Sequence, residues 1–206
     1  MSRPSATGVV VAGGRSTRFG DREKALATLG GEPMLRHVVA AVGDVTGEVV
    51  VNCRADQRGP FEAALSDLEV PVRFAVDERP DEGPLSGLAA GLAAVETEVA
   101  VVVACDMPLV TPELFGALLD GIGERPDAEA AVPRTDGGPE PLCAAYRTAP
   151  ALGAARAALD DGSRSLRALL TRLDVRWLDV GEADLDAAGL RSVDTQAALE
   201  RERERF

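Results

Sequence analysis

The stretch Gly8-Val9-Val10-Val11-Ala12-Gly13-Gly14 decides how the rest of the chain is read. Its apolar run is β-branched and continuous instead of alternating, the mark of a strand covered on both faces. Paired glycines end it, and a loop rich in Gly, Ser and Arg runs from Gly13 to about Glu23. A second run of this kind, Val99-Ala100-Val101-Val102-Val103-Ala104, ends in Cys105-Asp106-Met107-Pro108. Buried strands that hand over directly to such loops belong to parallel α/β sheets, which bind ligands at the carboxyl ends of their strands.

Outward from these two runs, strand patterns alternate with helical ones. Pro33 opens a helix carried by Met34, Leu35, Val38, Val39 and Val42, with Pro in a favourable early position. Glu48–Cys53 reads as a second strand, residues 57–68 as a helix and Val72–Val76 as a third strand. Leu85–Val95 is helical, with Leu85, Leu88 and Leu92 on one face and Gly87 and Gly91 leaving room for close packing. Thr111-Pro112-Glu113 starts another helix, Thr as N-cap and Pro at N1. Strands near Ala130–Pro133 and Leu142–Tyr146, helices at about 150–160 and 165–173, a strand at Val175–Val180 and a charged helix at Gln196–Arg205 complete the chain. This order predicts an α/β fold of three layers, a mostly parallel central sheet with helices on both faces.

The 206 residues carry 22 basic and 34 acidic side chains, a net charge of −12. Such a field repels phosphate backbones and argues against a nucleic-acid binder. It leaves room for a compact phosphate site built from backbone amides and one or two cations. No run approaches the ~18 apolar residues of a membrane span, and no secretory signal pattern opens the chain, so a cytoplasmic protein is expected. Cys53, Cys105 and Cys143 are odd in number and far apart, which suits reduced thiols in strands better than a disulfide framework or a zinc cluster. Lys24 is the only lysine and Asn52 the only asparagine. In a chain depleted of both types, these two stand out as retained for chemistry, and the acidic, Lys-poor composition suits a high-salt cytoplasm.

Three segments carry candidate chemistry. Gly13 and Gly14 let backbone N–H groups approach an anion, and Arg15, Arg18 and Lys24 add positive charge to the same loop. The pattern is neither a P-loop nor a dinucleotide fingerprint; its bland alternative is a flexible surface loop. Asp106 leaves a buried strand at the end that faces the ligand crevice, and Mg²⁺ favours one or two carboxylates plus phosphate oxygens and water. A turn or cap role is the alternative for Asp106. Asp81-Glu82-Gly83-Pro84-Leu85-Ser86-Gly87-Leu88 ends a loop and begins a helix whose amides point toward a ligand. His37, the only histidine, and Trp177 read as structural, Trp177 as core or packing anchor.

Together, Ala12-Gly13-Gly14-x-Ser16-x-Arg18-x-Gly20 with Lys24, Gly83-Pro84-Leu85-x-Gly87-Leu88 and Cys105-Asp106-Met107-Pro108 resemble the molybdenum cofactor guanylyltransferases, within the Rossmann-like nucleotidyltransferases. Pro141-Leu142-x-Ala144-x-Tyr146 and Ser165-Leu166-Arg167-x-Leu169-Leu170 are similar to that family too, and the likeness runs from residue 8 to about 199. The resemblance implies a single nucleotidyltransferase domain over residues 1–206, with a nucleotide-binding part at about 7–136 and an acceptor-side lobe at about 137–206 that closes over the site. It implies GTP held by the backbone of Ala12, Gly13 and Gly14, with Lys24 on its phosphates and Asn52 and Asp77 at the nucleoside. Asp106 is implied as the Mg²⁺ ligand, with Mn²⁺ as a substitute, and Lys24, Arg18 and Asp106 as the catalytic groups. The terminal phosphate of molybdopterin attacks the α-phosphorus of GTP and pyrophosphate leaves. Because that nucleophile is already an anion, no Ser, Cys or His nucleophile is required, and catalysis consists of positioning plus charge neutralisation. Proteins of molybdenum cofactor biosynthesis or delivery are the implied partners; neither nucleic acid nor membrane is.

Two positions depart from the family pattern. Phe19 stands where Met is usual, and Val193-Asp194-Thr195-Gln196 stands where Val-Asn-Thr-Pro is typical. Asp194 is expected as a second metal ligand beside Asp106, and Asp194 with Ser192 on the acceptor side; a cap on the last helix is the alternative for Asp194. Competing readings are a relative using another base or acceptor, such as the cytidylyltransferase for the same cofactor, and a non-catalytic nucleotide-binding subunit.

Overall fold

In the computed structural model, residues 5–15, 19, 23–77, 82–181 and 185–204 are described. Strand β1 (Ala6–Val11) is followed by a 3₁₀ turn at Lys24–Leu26 and a small hairpin, β2 (Thr28–Leu29) and β3 (Glu32–Pro33). Helix α1 (Met34–Gly43), β4 (Val49–Cys53), α2 (Arg58–Leu65), β5 (Val72–Val76), α3 (Pro84–Ala93) and β6 (Val99–Ala104) then alternate. Helix α4 (Pro112–Glu124), β7 (Ala130–Thr135), β8 (Gly138–Pro139), β9 (Cys143–Arg147), α5 (Thr148–Asp160), α6 (Leu166–Leu170), β10 (Val175–Asp179), a 3₁₀ turn at Ala187–Leu190 and α7 (Gln196–Arg203) follow.

The main sheet runs β10-β7-β9-β6-β1-β4-β5, with β8 added to β7. β1 pairs in parallel with both β4 and β6, and β4 with β5. β9 is antiparallel to both β6 and β7. The chain after Gly137 is thereby built into the middle of the sheet, with β9 filling the place between β6 and β7.

Successive side chains of β1 point to opposite faces, so one strand serves two cores. Val10 packs with Leu35, Val38, Phe61 and Leu118 from α1, α2 and α4, whereas Val9 packs with Leu85, Leu88, Ala151 and Leu169 from α3, α5 and α6. The three layers predicted from the strand and helix order are therefore present. Every one of Val99–Val103 is fully buried, as a continuous apolar run requires. Helix α4 begins as expected: the Thr111 side chain accepts the Leu114 N–H, and Pro112 follows it. A third small cluster joins Phe19, Leu29, Met34, Val193 and Leu199, so Phe19 fills a packed site and ties α7 to the hairpin.

Two local readings differ from the sequence. The hairpin at Thr28–Pro33 was not anticipated, although Gly30 and Gly31, at φ +58° and +92°, have the positive φ that a two-residue connection demands. Trp177 is not core: alternation on β10 sends Leu178 against Gly121 of α4 and leaves Trp177 41% exposed.

Helix α3 lies close to β1 because Gly91 has no side chain; a Cβ there would stand 2.5 Å from Val9 Cγ1. Gly153, within α5, has open space around it. Gly91→Ala is therefore expected to lose about 1–3 kcal/mol of stability by overpacking, and Gly153→Ala to gain about 0.5–1 kcal/mol. Urea unfolding of the two variants against the wild-type chain measures both.

Candidate active site

A cavity of about 560 Å³ opens at the carboxyl ends of β1, β4, β5 and β6. The parallel order turns in opposite directions from β1, toward β4 on one side and β6 on the other, and the cavity lies at this switch point. Gly13, Gly14, Lys24, Asn52, Asp77 and Asp106 all line it.

Asp106 is carried there by the β1–β6 ladder, which continues one residue further as Cys105 N–H donates to the Val11 carbonyl at 3.1 Å. A turn closed by Met107 N–H on the Ala104 carbonyl then lifts Asp106 out of the strand. Lys24 arrives from the first loop on its 3₁₀ turn, anchored by buried Ala25. Its Nζ lies 2.5 Å from Asp106 Oδ2, and both side chains are mostly buried, at 16% and 18% exposed. Burial lowers the ammonium's affinity for its proton, but the charges of Asp106 and Asp194 outweigh this and hold its pKa above the ordinary lysine value. Lys24 is thus a fixed positive charge at any physiological pH.

The opposite wall is built on Asn52. Its Nδ2 donates to Asp77 Oδ1 at 2.7 Å and to the Ala75 carbonyl at 3.3 Å. Its Oδ1 is buried without a hydrogen-bond partner. That acceptor faces two glycines: a Cβ on Gly87 would stand 2.6 Å from it and one on Gly13 3.1 Å. The Gly13 Cβ would also stand 2.2 Å from Asp77 Oδ2. Burial raises the Asp77 carboxyl above its ordinary value, opposed by the Asn52 hydrogen bond and the charge of Arg54. Two oxygen acceptors, one orphaned and one half-buried, therefore face the cavity at the ends of β4 and β5.

Two residues that shape the loop carry no motif in the sequence. Arg54 donates to the carbonyls of Gly13 at 3.2 Å and Gly14 at 2.7 Å, and pairs with Glu23 at 3.2 Å. Gln57, buried, donates from Nε2 to the Ala12 carbonyl at 3.2 Å and accepts the Arg54 N–H. Ala12 N–H is itself taken by the Asn52 carbonyl at 3.0 Å, so with the carbonyls of residues 12–14 turned back onto Arg54 and Gln57 it is the Gly13 and Gly14 amides that are left to a ligand. The available signal was position: Arg54 directly follows, and Gln57 lies one turn beyond, a strand end that faces the crevice.

The C-terminal motif reaches the same place. Val193 N–H donates to the Asp106 carbonyl at 2.7 Å, and Gln196 Nε2 to the Phe19 carbonyl at 3.0 Å. Asp194 stands near enough for its charge to act on Lys24. It does not cap α7; the Thr195 side chain does, accepting from Ala198 N–H. Ser192 is exposed beside it. Arg15 lines the cavity, whereas Arg18, Ser16, Gly20 and Asp81 lie outside the described residues. His37 bonds the Leu29 carbonyl at 2.8 Å, a structural role. Burial pushes the Cys105 thiol up to about 12 and Cys53 to about 11, so neither supplies a thiolate near neutrality.

A glycine loop, an ammonium and a carboxylate that converge at the switch point of a mostly parallel sheet, with no activated side-chain nucleophile beside them among the described residues, define a nucleotidyltransferase. The MobA-like NTP transferase domain matches residues 8–177, and the chain belongs to that family. It is 44% identical over 204 residues to a probable molybdenum cofactor guanylyltransferase of Natronomonas pharaonis, covering 97% of this chain and 98% of that one. A protein of the same description from Haloferax mediterranei is 38% identical, over 93% and 91% of the two chains. Among solved structures, the molybdopterin-guanine dinucleotide biosynthesis protein A of Archaeoglobus fulgidus superposes with a TM-score of 0.77 at 27% identity, over 97% of each chain.

The raised Asp77 carboxyl sets a stability prediction. An acid whose folded pKa lies above its ordinary 3.8 opposes folding when ionised. This penalty is complete above the folded pKa and absent below 3.8. Asp77→Asn is expected to melt higher than the wild-type chain at pH 7, with the gap closing as pH falls toward that value; thermal melts across pH measure it. Gly13→Ala, which drives a methyl into Asp77, is expected to weaken GTP binding by about tenfold or more while the chain still folds, as read by titration calorimetry.

Proposed function

We propose that this chain transfers GMP from GTP to the phosphate of molybdopterin, releasing pyrophosphate and forming the guanine dinucleotide cofactor. The observation that carries the reading is the meeting of Lys24 and Asp106 across the glycine loop, 2.5 Å apart. One group serves the phosphates directly and the other serves a cation. The relatives' descriptions support the substrate pair.

Asp77 and Asn52 argue for the base. Guanine presents two adjacent donors, N1–H and the exocyclic amine, and the site offers Asp77 Oδ2 and the unpartnered Asn52 Oδ1 as acceptors. Cytosine sets acceptors beside its single amine and would leave those oxygens facing lone pairs. Leaving buried acceptors unpaired costs about 1–3 kcal/mol each, enough to select between the bases.

Asp106 would hold Mg²⁺ or Mn²⁺. Among the described residues, no three acidic, His or Cys side chains form a cage, which suits an ion that takes one or two carboxylates and completes its shell with phosphate oxygens and water. When bound, that ion neutralises the triphosphate and withdraws charge from the α-phosphorus. The amides of Gly13 and Gly14 orient the phosphates, and Lys24 holds its charge against the oxygens on which negative charge builds. Arg18 belongs to the same loop and is proposed to act with Lys24. A phosphate oxygen of the acceptor forms the new bond to the α-phosphorus. The bond to the bridging oxygen breaks, and pyrophosphate leaves with its electron pair. Asp194, and Ser192 next to it, are proposed on the acceptor side, in the part of the domain from about 137 to 206, with Asp194 sharing the cation with Asp106.

Purified chain with Mg²⁺, GTP and molybdopterin is expected to release pyrophosphate, and CTP or ATP to replace GTP poorly. Asp106→Ala should lower kcat/KM by about 10² or more. If Asp194 shares the ion, Asp194→Ala weakens Mn²⁺ binding measured by electron paramagnetic resonance; an unchanged Mn²⁺ affinity refutes the shared ligation.

A further inference from the structure

Glu140 is a half-buried carboxylate that has neither a hydrogen bond nor an ion pair from its side chain among the described residues. Several other acids of the fold are paired with arginine. Glu48 is held by Arg73, Asp179 by Arg134 and Glu124 by Arg176. Arg191 lines the same cavity as Glu140 but is turned to Glu202, at 3.7 Å. A carboxylate partly withdrawn from water without a partner is costly, and such groups collect where a ligand supplies the missing donors.

The backbone fixes this residue with unusual thoroughness. Glu140 N–H donates to the Pro133 carbonyl and Cys143 N–H to the Glu140 carbonyl, each at 3.0 Å. The next two carbonyls are held as well: Pro141 by the buried Tyr146 hydroxyl at 2.7 Å, and Leu142 by Ala104 N–H at 2.8 Å. Leu142 lines the nucleotide cavity, whereas Glu140 lines a second cavity of about 420 Å³ walled by Ala187, Ala188 and Leu190. The two cavities thus lie on either side of one rigid turn. Asp106 stands close enough that its charge, after burial itself, raises the Glu140 carboxyl above its ordinary value.

We propose that Glu140 recognises the acceptor, its two oxygens receiving the paired N–H donors on the 2-amino-4-oxopyrimidine edge of a pterin seated in the second cavity. This rests on the reading of molybdopterin as acceptor. The wall of Ala187, Ala188 and Leu190 offers an apolar surface to a flat ring, and the carboxylate offers acceptors only. Glu140 stands near enough to Asp106 for their charges to interact, so a phosphate attached to the ring system is placed toward the reacting centre. Guanine carries the same donor edge, and the site has one half-buried acid for each heterocycle: Asp77 beyond one side of Asp106 and Glu140 beyond the other.

Glu140→Gln keeps the shape and removes one of the two acceptors; Glu140→Ala removes both. With saturating Mg²⁺-GTP, Glu140→Gln should raise the KM for molybdopterin about tenfold or more, with kcat changed far less. GTP affinity and Mn²⁺ binding should match the wild-type chain. In fluorescence titrations the wild-type chain should prefer pterin to lumazine, which has oxygen in place of the 2-amino group, and both variants should lose that preference. An unchanged acceptor KM, or a wild-type chain that binds pterin and lumazine alike, overturns the proposal. So does a variant with weakened GTP binding, which would make Glu140 a guanine reader, or with lost Mn²⁺ binding, which would make it a metal ligand. A wild-type chain that releases no pyrophosphate with molybdopterin would refute the parent reading instead, and the pterin–lumazine comparison would then decide Glu140 by itself.

Discussion

The ion pair between Lys24 and Asp106 is the constraint on which the site depends. A chain of net charge −12 has to bring two phosphate-bearing molecules together. Its overall field opposes this, so the remedy is local. The chain's only lysine is set against a carboxylate at the mouth of the nucleotide cavity, mostly buried, with its positive charge secured by two acids. Buried pairs of this kind are poor sources of stability, since desolvation offsets most of the attraction. Their value lies in preorganisation: the charges are already ordered and largely stripped of water when a phosphate-bearing substrate arrives.

The rest of the site shows the same preference for readiness over stability. Asn52 keeps a buried oxygen without a partner, Asp77 keeps a carboxyl that burial disfavours, and Glu140 keeps an acid unpaired among the described residues. Each is a small destabilisation of the kind that a bound ligand can relieve. The surrounding frame is correspondingly rigid. β6 is buried along its whole length, the Glu140–Leu142 turn is held by four hydrogen bonds, and residues 193–196 connect Asp106 to the loop that carries Phe19. The C-terminal segment therefore acts as a strap between the two halves of the phosphate site, and the Asp194 departure from the family pattern sits within that strap.

The architecture was legible in the sequence because its signals are local. Val9–Val11 and Val99–Ala104 are too apolar and too β-branched to be anything but buried strands, and Thr111-Pro112 starts a helix by its own chemistry. Lys24, Asn52, Asp77 and Asp106 were found through strand ends and motif order, and the structure brings all four to one cavity. What escaped was long-range. Arg54 and Gln57 hold the glycine loop through contacts with carbonyls 40 or more residues away, and beyond their place after a strand end nothing in their local sequence marks that. The insertion of β9 between β6 and β7 is a pairing choice that strand propensity does not encode. Trp177 misled because a large aromatic side chain is usually buried, whereas on an edge strand alternation alone placed it outward.

The most direct measurement is a crystal structure of the chain with Mg²⁺ and GTP, or with a non-hydrolysable GTP analogue. The account predicts that the triphosphate lies on the amides of Gly13 and Gly14. Lys24 Nζ should then have left Asp106 for a phosphate oxygen, and the cation should stand on the Asp106 carboxylate in its place. A complex in which Lys24 and Asp106 remain paired while the phosphates bind elsewhere would contradict it.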